Sequence, residues 1–493
     1  MISKKFISSS FIYAVIGSLP MASAFILLLF FTNHLSTNDY GLLAIYYSIT
    51  LLVQIVVNFA MDTSIGVHYF EFRDDPAKLR KYIGTIAGSL IMIGIVFTLL
   101  SLMGGNFLFS KIFPANDIKF YPYGFISILT GIFNSLFKTY TNLLINQGRP
   151  GRYFWSNITT FVSTIVFSLL GLYWFPNSLI GPMWGRFLSS FVIFLVSIYF
   201  FKTEFEISIT FSFLRGLFNF CLPVFLFLVL SWVLSYFDRF IIKHFMQSSD
   251  VAVYDFIVKC TLILDFVLNG LSSAITPKVF NLFKEKNLKE STIEMNRYFN
   301  GFIFITLLMV PFLVFVIPVV IPFIVTKHAY YTGFPYVEIL CLGFLARGLY
   351  LMYMTPIYYF KKTHVLPLVL LATAIIQVSL SIFGVNYYGL EGAVWANFLS
   401  RPLQVVFLFL ASRKIFAFRF NMVKQLYLPL FYTGICIFSY FTFHAHHLIL
   451  VNLTQMLIIY VAVILVFRNE IPVILEQFNI LQYIPFRTSP VKK

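Results

Sequence analysis

The chain has 493 residues, of which 59% are hydrophobic, 19% aromatic and only 11% charged, with a mean hydropathy of +0.86 and a formal net charge of +16. A balance this apolar excludes a water-soluble protein of this length, and with it the basic nucleic-acid-binding domains that the charge alone would suggest. What is left is an all-α, polytopic membrane protein.

Met1 to Phe6 is short and basic through Lys4 and Lys5. The apolar stretch that follows, Phe11 to Phe31, is long enough to span a bilayer and has no small-residue cleavage site behind it, so an uncleaved first helix is expected. Apolar runs of spanning length predict about fourteen helices, at 10–33, 40–62, 82–103, 120–146, 151–174, 179–201, 215–243, 250–276, 298–326, 334–360, 364–385, 390–412, 425–444 and 448–467. The loops between them are too short for a soluble domain. With the N-terminus inside, most of the 35 Lys and Arg residues fall in cytoplasmic loops, against Lys111, Lys119 and Lys327 on the other side. Both termini are therefore expected in the cytoplasm, with the loop charges against anionic headgroups.

Cys221, Cys260, Cys341 and Cys436 all fall inside expected spans without a CxxC pair, which reads as packing rather than disulfide or metal chemistry. The cluster His444, His446 and His447 reads as interfacial, no GxxxxGK[ST] phosphate loop is present, and no cofactor is expected.

A repeat at an offset of 211 residues organises the chain. Gly181, Trp184, Phe187, Leu188 and Ser189 recur as Gly392, Trp395, Phe398, Leu399 and Ser400, and Asp39 recurs as Asp250. The same offset carries Thr50, Gln54, Asn58 and Asp62 onto Thr261, Asp265, Asn269 and Ser273, two polar stripes at a spacing of four that cannot face lipid. Asn134, Lys138 and Asn142 form a third stripe, Asn397, Arg401 and Gln404 a fourth, and Arg186 with Ser190 the equivalent of Asn397 and Arg401. Six helices separate equivalent positions, so the halves share one topology. The expected organisation is an N-lobe at 1–201 and a C-lobe at 202–414, with two extra helices and a cytoplasmic tail at 415–493 and the site in the cleft between lobes. Pro20 and Pro223, and Pro311, Pro318 and Pro322 together, are candidate bending points.

The densest set of ionisable groups lies between Ser231 and Lys278, where Asp238, Arg239, Asp255, Lys259 and Asp265 sit in otherwise lipid-compatible sequence. Charge at membrane depth marks a pathway by default, so this hairpin reads as half of a transport cavity. Structural pairing is the competing account: Asp255 with Lys259, Asp238 with Arg239 or Lys243, and Lys138 reaching the inner surface.

The run Asp238-Arg239-Phe-Ile-Ile, a polar loop, Val253-Tyr254, Ile275-Thr-Pro277-Lys278 and, later, Gly389-Leu-Glu391-Gly392-Ala393-Val-Trp-Ala396 resembles the polysaccharide and O-antigen flippases of the multidrug/oligosaccharidyl-lipid/polysaccharide exporter superfamily, with lipid II flippases as relatives. The resemblance covers nearly the whole chain. It implies a two-lobed, non-enzymatic transporter of the bacterial inner membrane that moves undecaprenyl-pyrophosphate-linked oligosaccharide to the outer leaflet, for O-antigen, capsule or other polysaccharide synthesis. A monomer is expected, with membrane lipids around it, polysaccharide polymerase and glycosyltransferases as partners, and no nucleic acid. A pyrophosphate calls for Arg or Lys donors and a glycan for amides, hydroxyls and aromatic faces. The pyrophosphate candidates are Arg347, Arg401, Lys259, Arg186 and Arg239, and the glycan candidates Asn58, Asn134, Asn269, Asn397 and Gln404. Asp62, Asp265 and Asp238 are candidates for a coupling ion, and with Glu338 they sustain the alternative of a cation-coupled multidrug exporter. A membrane polysaccharide polymerase or ligase is the other alternative, weakened by the short outer loops.

Overall fold

A computed structural model describes residues 16–17, 19–113, 117–285, 288–415, 420–443 and 448–469, so His444, His446 and His447 and most of the expected tail lie outside the described residues. The described chain is helical throughout, without a strand. Helices α1 (Leu19–His34), α2 (Thr37–Asn58), α3 (Met61–Phe72), α4 (Pro76–Ile112), α5 (Phe125–Asn146), α6 (Pro150–Trp174) and α7 (Ile180–Glu204) are followed by α8 (Phe211–Tyr236), α9 (Asp238–Phe245), α10 (Ser248–Glu285) and α11 (Leu288–Ile324). Then come α12 (Phe334–Leu342), α13 (Arg347–Tyr359), α14 (Val365–Tyr388), α15 (Leu390–Ser412), α16 (Leu428–Phe443) and α17 (Leu448–Phe467). Eleven segments among the described residues are long and apolar enough to cross a membrane, against the fourteen expected. Large side chains such as Met103, Phe107, Phe383 and Phe438 are exposed along them, an apolar surface suited to lipid.

Two expected continuous helices are broken. The 40–62 segment stops at Phe59 and restarts at Met61, with Phe59 (φ 47°) and Ala60 (φ 57°) in the left-handed region. No Gly or Pro marks this place. It is held by packing: Phe59 lies against Phe225 and Phe218 of α8, at ring separations of 4.7 and 5.5 Å, and Asn142 of α5 donates to the Asp62 carbonyl. The 334–360 segment unwinds into a 3-10 turn over Gly343–Ala346, so that Arg347 opens a new helix. By contrast, α11 runs unbroken through Pro311, Pro318 and Pro322, and α8 through Pro223. Pro20 lies in the first turn of α1.

The packing divides into two units. The first comprises residues 1–262, 322–333 and 363–400, and the second 263–321, 334–362 and 401–493. In the first, the repeat is visible as geometry. Trp184 meets Phe187 edge-on (5.2 Å, 89°) and Trp395 meets Phe398 in the same way (5.7 Å, 80°). At the start of α2, Ser36 donates to Asp39, and at the start of α10 the Gln247 backbone donates to Asp250 at 3.0 Å. These two helix starts touch each other, since a Cβ on Gly41 would fall 1.7 Å from the Ser248 carbonyl oxygen. Helices α6 and α7 cross at Gly171 and Gly181, and α14 and α15 at Gly384 and Gly392. A Cβ on Gly392 would lie 2.0 Å from the Gly384 carbonyl carbon, and one on Gly181 2.3 Å from the Gly171 oxygen. Gly181→Val and Gly392→Val are each expected to cost at least about 1–3 kcal/mol, because the obstacle is backbone, and a lowered unfolding temperature in detergent checks this.

In the second unit, α17 is tied to α11 by Asn452 donating to the Val314 carbonyl (3.0 Å) and Tyr460 to that of Leu308 (2.9 Å). Gln425, before α16, donates to Asn296 and Asn300 of α11. All four cysteines are buried, and none of them is in a disulfide.

Candidate functional site: cations held among tyrosines

In the first unit the hairpin of α9 and α10 carries a carboxylate shared by three donors. Asp255 accepts from Arg239 Nε at 2.8 Å through Oδ1, and from Lys259 Nζ and the Tyr40 hydroxyl, both at 2.7 Å, through Oδ2. Lys259 also donates to the Tyr40 oxygen at 3.1 Å, so Tyr40 of α2 touches both the acid and the amine of this pair. Arg239 is 2% exposed, donates a further bond to the Ser235 carbonyl at 2.8 Å and lies 5.0 Å from the Tyr236 ring centre. Arg186 of α7 stacks over Tyr47 at 4.2 Å, and Lys259 approaches the same ring at 6.0 Å. Two cations thus share one carboxylate, and a third, Arg186, lies over Tyr47, the ring that Lys259 also approaches. Such a set carries uncompensated positive charge at low dielectric, which suits an anion.

Asp238 occupies a separate polar pocket. Its Oδ2 accepts from Tyr254 (2.8 Å), Gln377 of α14 (3.2 Å) and Asn397 of α15 (3.4 Å), and the residue is 1% exposed. The expected pairing of Asp238 with Arg239 or Lys243 is not what forms: Arg239 turns to Asp255 and Lys243 to Asp117. Asp255 and Lys259 do pair, one helical turn apart.

The other candidates are placed as follows. Asp62, at the start of α3, pairs with Lys138 of α5 at 3.2 Å, where Lys138 was expected to reach for the surface. Asn58 is buried and donates to the Ser135 carbonyl (3.2 Å) and Thr139 (2.9 Å), so its amide holds α2 to α5. Asn134 and Gln404 are half-buried. In the second unit, Arg347 donates to Asn269 Oδ1 at 2.6 Å and lies 5.2 Å from the Tyr350 ring. Half-buried Asp265, one turn before Asn269, has no ion pair among the described residues. Arg401 crosses Gly343, where a Cβ would come 2.6 Å from its Cδ, and its guanidinium lies 4.2 Å above Phe344.

Tyr40, Tyr47 and Gln377 escaped sequence reading. The tyrosines are hidden in a chain that is one-fifth aromatic, but Gln377, a lone amide in the middle of an apolar span, carried a usable signal.

Long apolar helices with buried charge pairs and mid-helix unwinding define a multi-pass membrane protein. The chain belongs to the polysaccharide biosynthesis protein family, whose model matches residues 6–283. A protein of the Lsg locus of Haemophilus influenzae is 22% identical over 294 residues, 58% of this chain and 68% of that one. In fold, the chain is similar to the lipid II flippase MurJ in an inward closed conformation (TM-score 0.72, 16% identity, 95% of this chain and all of that one). It is also similar to an inward-facing multidrug resistance MATE family transporter of the MOP superfamily (TM-score 0.61, 14% identity, 79% of this chain and 96% of that one). The fold of the chain is thus the one these two solved structures share.

Proposed function

We propose that this protein flips undecaprenyl-pyrophosphate-linked oligosaccharide from the inner to the outer leaflet of the bacterial cytoplasmic membrane, supplying O-antigen, capsule or related polysaccharide synthesis. The observation that carries this reading is the pair Arg239 and Lys259 on the single carboxylate of Asp255, with Arg186 on the Tyr47 ring that Lys259 also approaches. A diphosphate offers the charge that Asp255 alone cannot supply, and the surrounding tyrosine faces suit sugar rings. Arg347 and Arg401 are proposed as further pyrophosphate contacts, and Asn134, Asn269, Asn397 and Gln404 as glycan contacts. Asn58 joins them only if its bonds to α5 open. Rocking of the lobes 1–201 and 202–414 supplies alternating access, with the chain acting as a monomer beside its glycosyltransferases and polymerase.

The test is the lipid-linked oligosaccharide pool in cells lacking the protein. Accumulation on the cytoplasmic side, cleared by the wild-type gene, is expected. An unchanged pool together with raised drug sensitivity would give the assignment to the multidrug reading. One observation favours ion coupling within either reading: Asp238 is enclosed by a hydroxyl and two amides with no ion pair among the described residues. Flipping in vesicles that is indifferent to both Na+ and pH would remove Asp238, Asp62 and Asp265 as coupling residues.

A further inference from the structure

The second unit holds a carboxyl to which the proposed flippase function gives no role. Glu338 sits in the middle of α12, 3% exposed, and its Oε1 has no hydrogen-bond partner. It is the only charged residue in α12, and neither α16 nor α17 contains one. The titratable groups facing it are Cys341 from its own helix and Cys436 and Tyr432 from α16, with the neutral Gln455 facing it from α17. The stretch of α11 that receives the Asn452 bond at Val314 is also free of charge. Around the carboxyl the polar groups are incompletely matched: Gln455 Oε1 accepts from the Cys436 thiol at 3.7 Å, while Gln455 Nε2 and Asn452 Oδ1 have no partner. A narrow crevice lined by Pro335, Ser439, Phe443 and Leu448 reaches Glu338.

An ionised carboxylate in this place would have neither a cation nor a full set of donors, and burying one costs far more than burying the neutral acid. The neutral acid, by contrast, has a proton to donate to an amide oxygen. We propose that Glu338 is a reversible proton-binding site, and that its protonated form seals the seam between α12 and the C-terminal helix pair α16 and α17. Losing the proton places an unpaired charge in the seam, draws water along the crevice and loosens the pair. The sign follows directly: the acid is neutral in the sealed fold and ionised in the unfolded chain, so stability is lost as pH rises.

The test does not involve transport, so it succeeds or fails independently of the flippase reading. Infrared spectra of the purified full chain, with glutamate labelled on its carboxyl carbon, should show a neutral glutamic acid band at neutral pH that Glu338→Gln removes. Thermal unfolding should become more favourable with rising pH in the wild type, by up to tenfold in the folding equilibrium per pH unit while the fold still holds the proton that the unfolded chain has lost, levelling off once the folded acid ionises, and this dependence should be lost in Glu338→Gln. A labelled spectrum with no neutral band overturns the proposal even if the variant fails to fold, and so does an equal pH dependence in both proteins.

Discussion

Asp255→Leu is expected to destabilise the protein by about 3–5 kcal/mol, the largest single effect on folding in the first unit. The carboxylate accepts from Arg239, Lys259 and Tyr40 at 2.7 to 2.8 Å and is 2% exposed, so its loss leaves one enclosed guanidinium and one enclosed amine with no counter-charge. Asn in its place keeps acceptor geometry for Tyr40 but not the charge, and it should fall between wild type and Leu. Combining Asp255→Leu with Arg239→Met should recover part of the loss, because the penalty comes mainly from the orphaned cation. Unfolding temperatures in detergent separate these cases. An Asp255→Leu protein as stable as wild type would mean that water reaches Arg239 and that the cluster is not enclosed.

Arg347→Ala should instead leave the fold nearly intact and abolish most transport. Its protein partners are modest, one bond to Asn269 at 2.6 Å and the face of Tyr350. A charge-assisted contact to a pyrophosphate is worth about 1.5–3 kcal/mol, so clearance of the lipid-linked intermediate should slow on the order of tenfold to a hundredfold at unchanged membrane levels. Asn269→Ala, which only frees the guanidinium, should be milder. Normal clearance by Arg347→Ala would remove this residue from the substrate path.

Apolar run length made most helices legible, and the Trp and Phe positions that the 211-residue offset relates make edge-on contacts in both places. The break at Phe59 and Ala60 was not legible, because packing against α8 and bonds from α5 produce it rather than local Gly or Pro chemistry. The Asp255 hub was half legible. Lys259 is one turn away, but Tyr40 is 215 residues distant and nothing in its neighbourhood singles it out. The pairing of Asp238 with Arg239 could have been rejected from geometry alone, since adjacent helical residues point about 100° apart.

The hairpin of α9 and α10 also bears on how the chain is made. Two of its acids find donors on the opposite arm, Asp238 from Tyr254 and Asp255 from Arg239, each sixteen residues apart, and Lys259 pairs with Asp255 one turn further on. Each bare charge at mid-bilayer would oppose entry from the insertion machinery by about 2.5–3.5 kcal/mol. The pairing of Asp255 with Arg239 and Lys259 within the hairpin lowers this opposition without waiting for α2 or α7 to arrive as partners. The segment with the most charge therefore brings part of its own counter-charge into the fold.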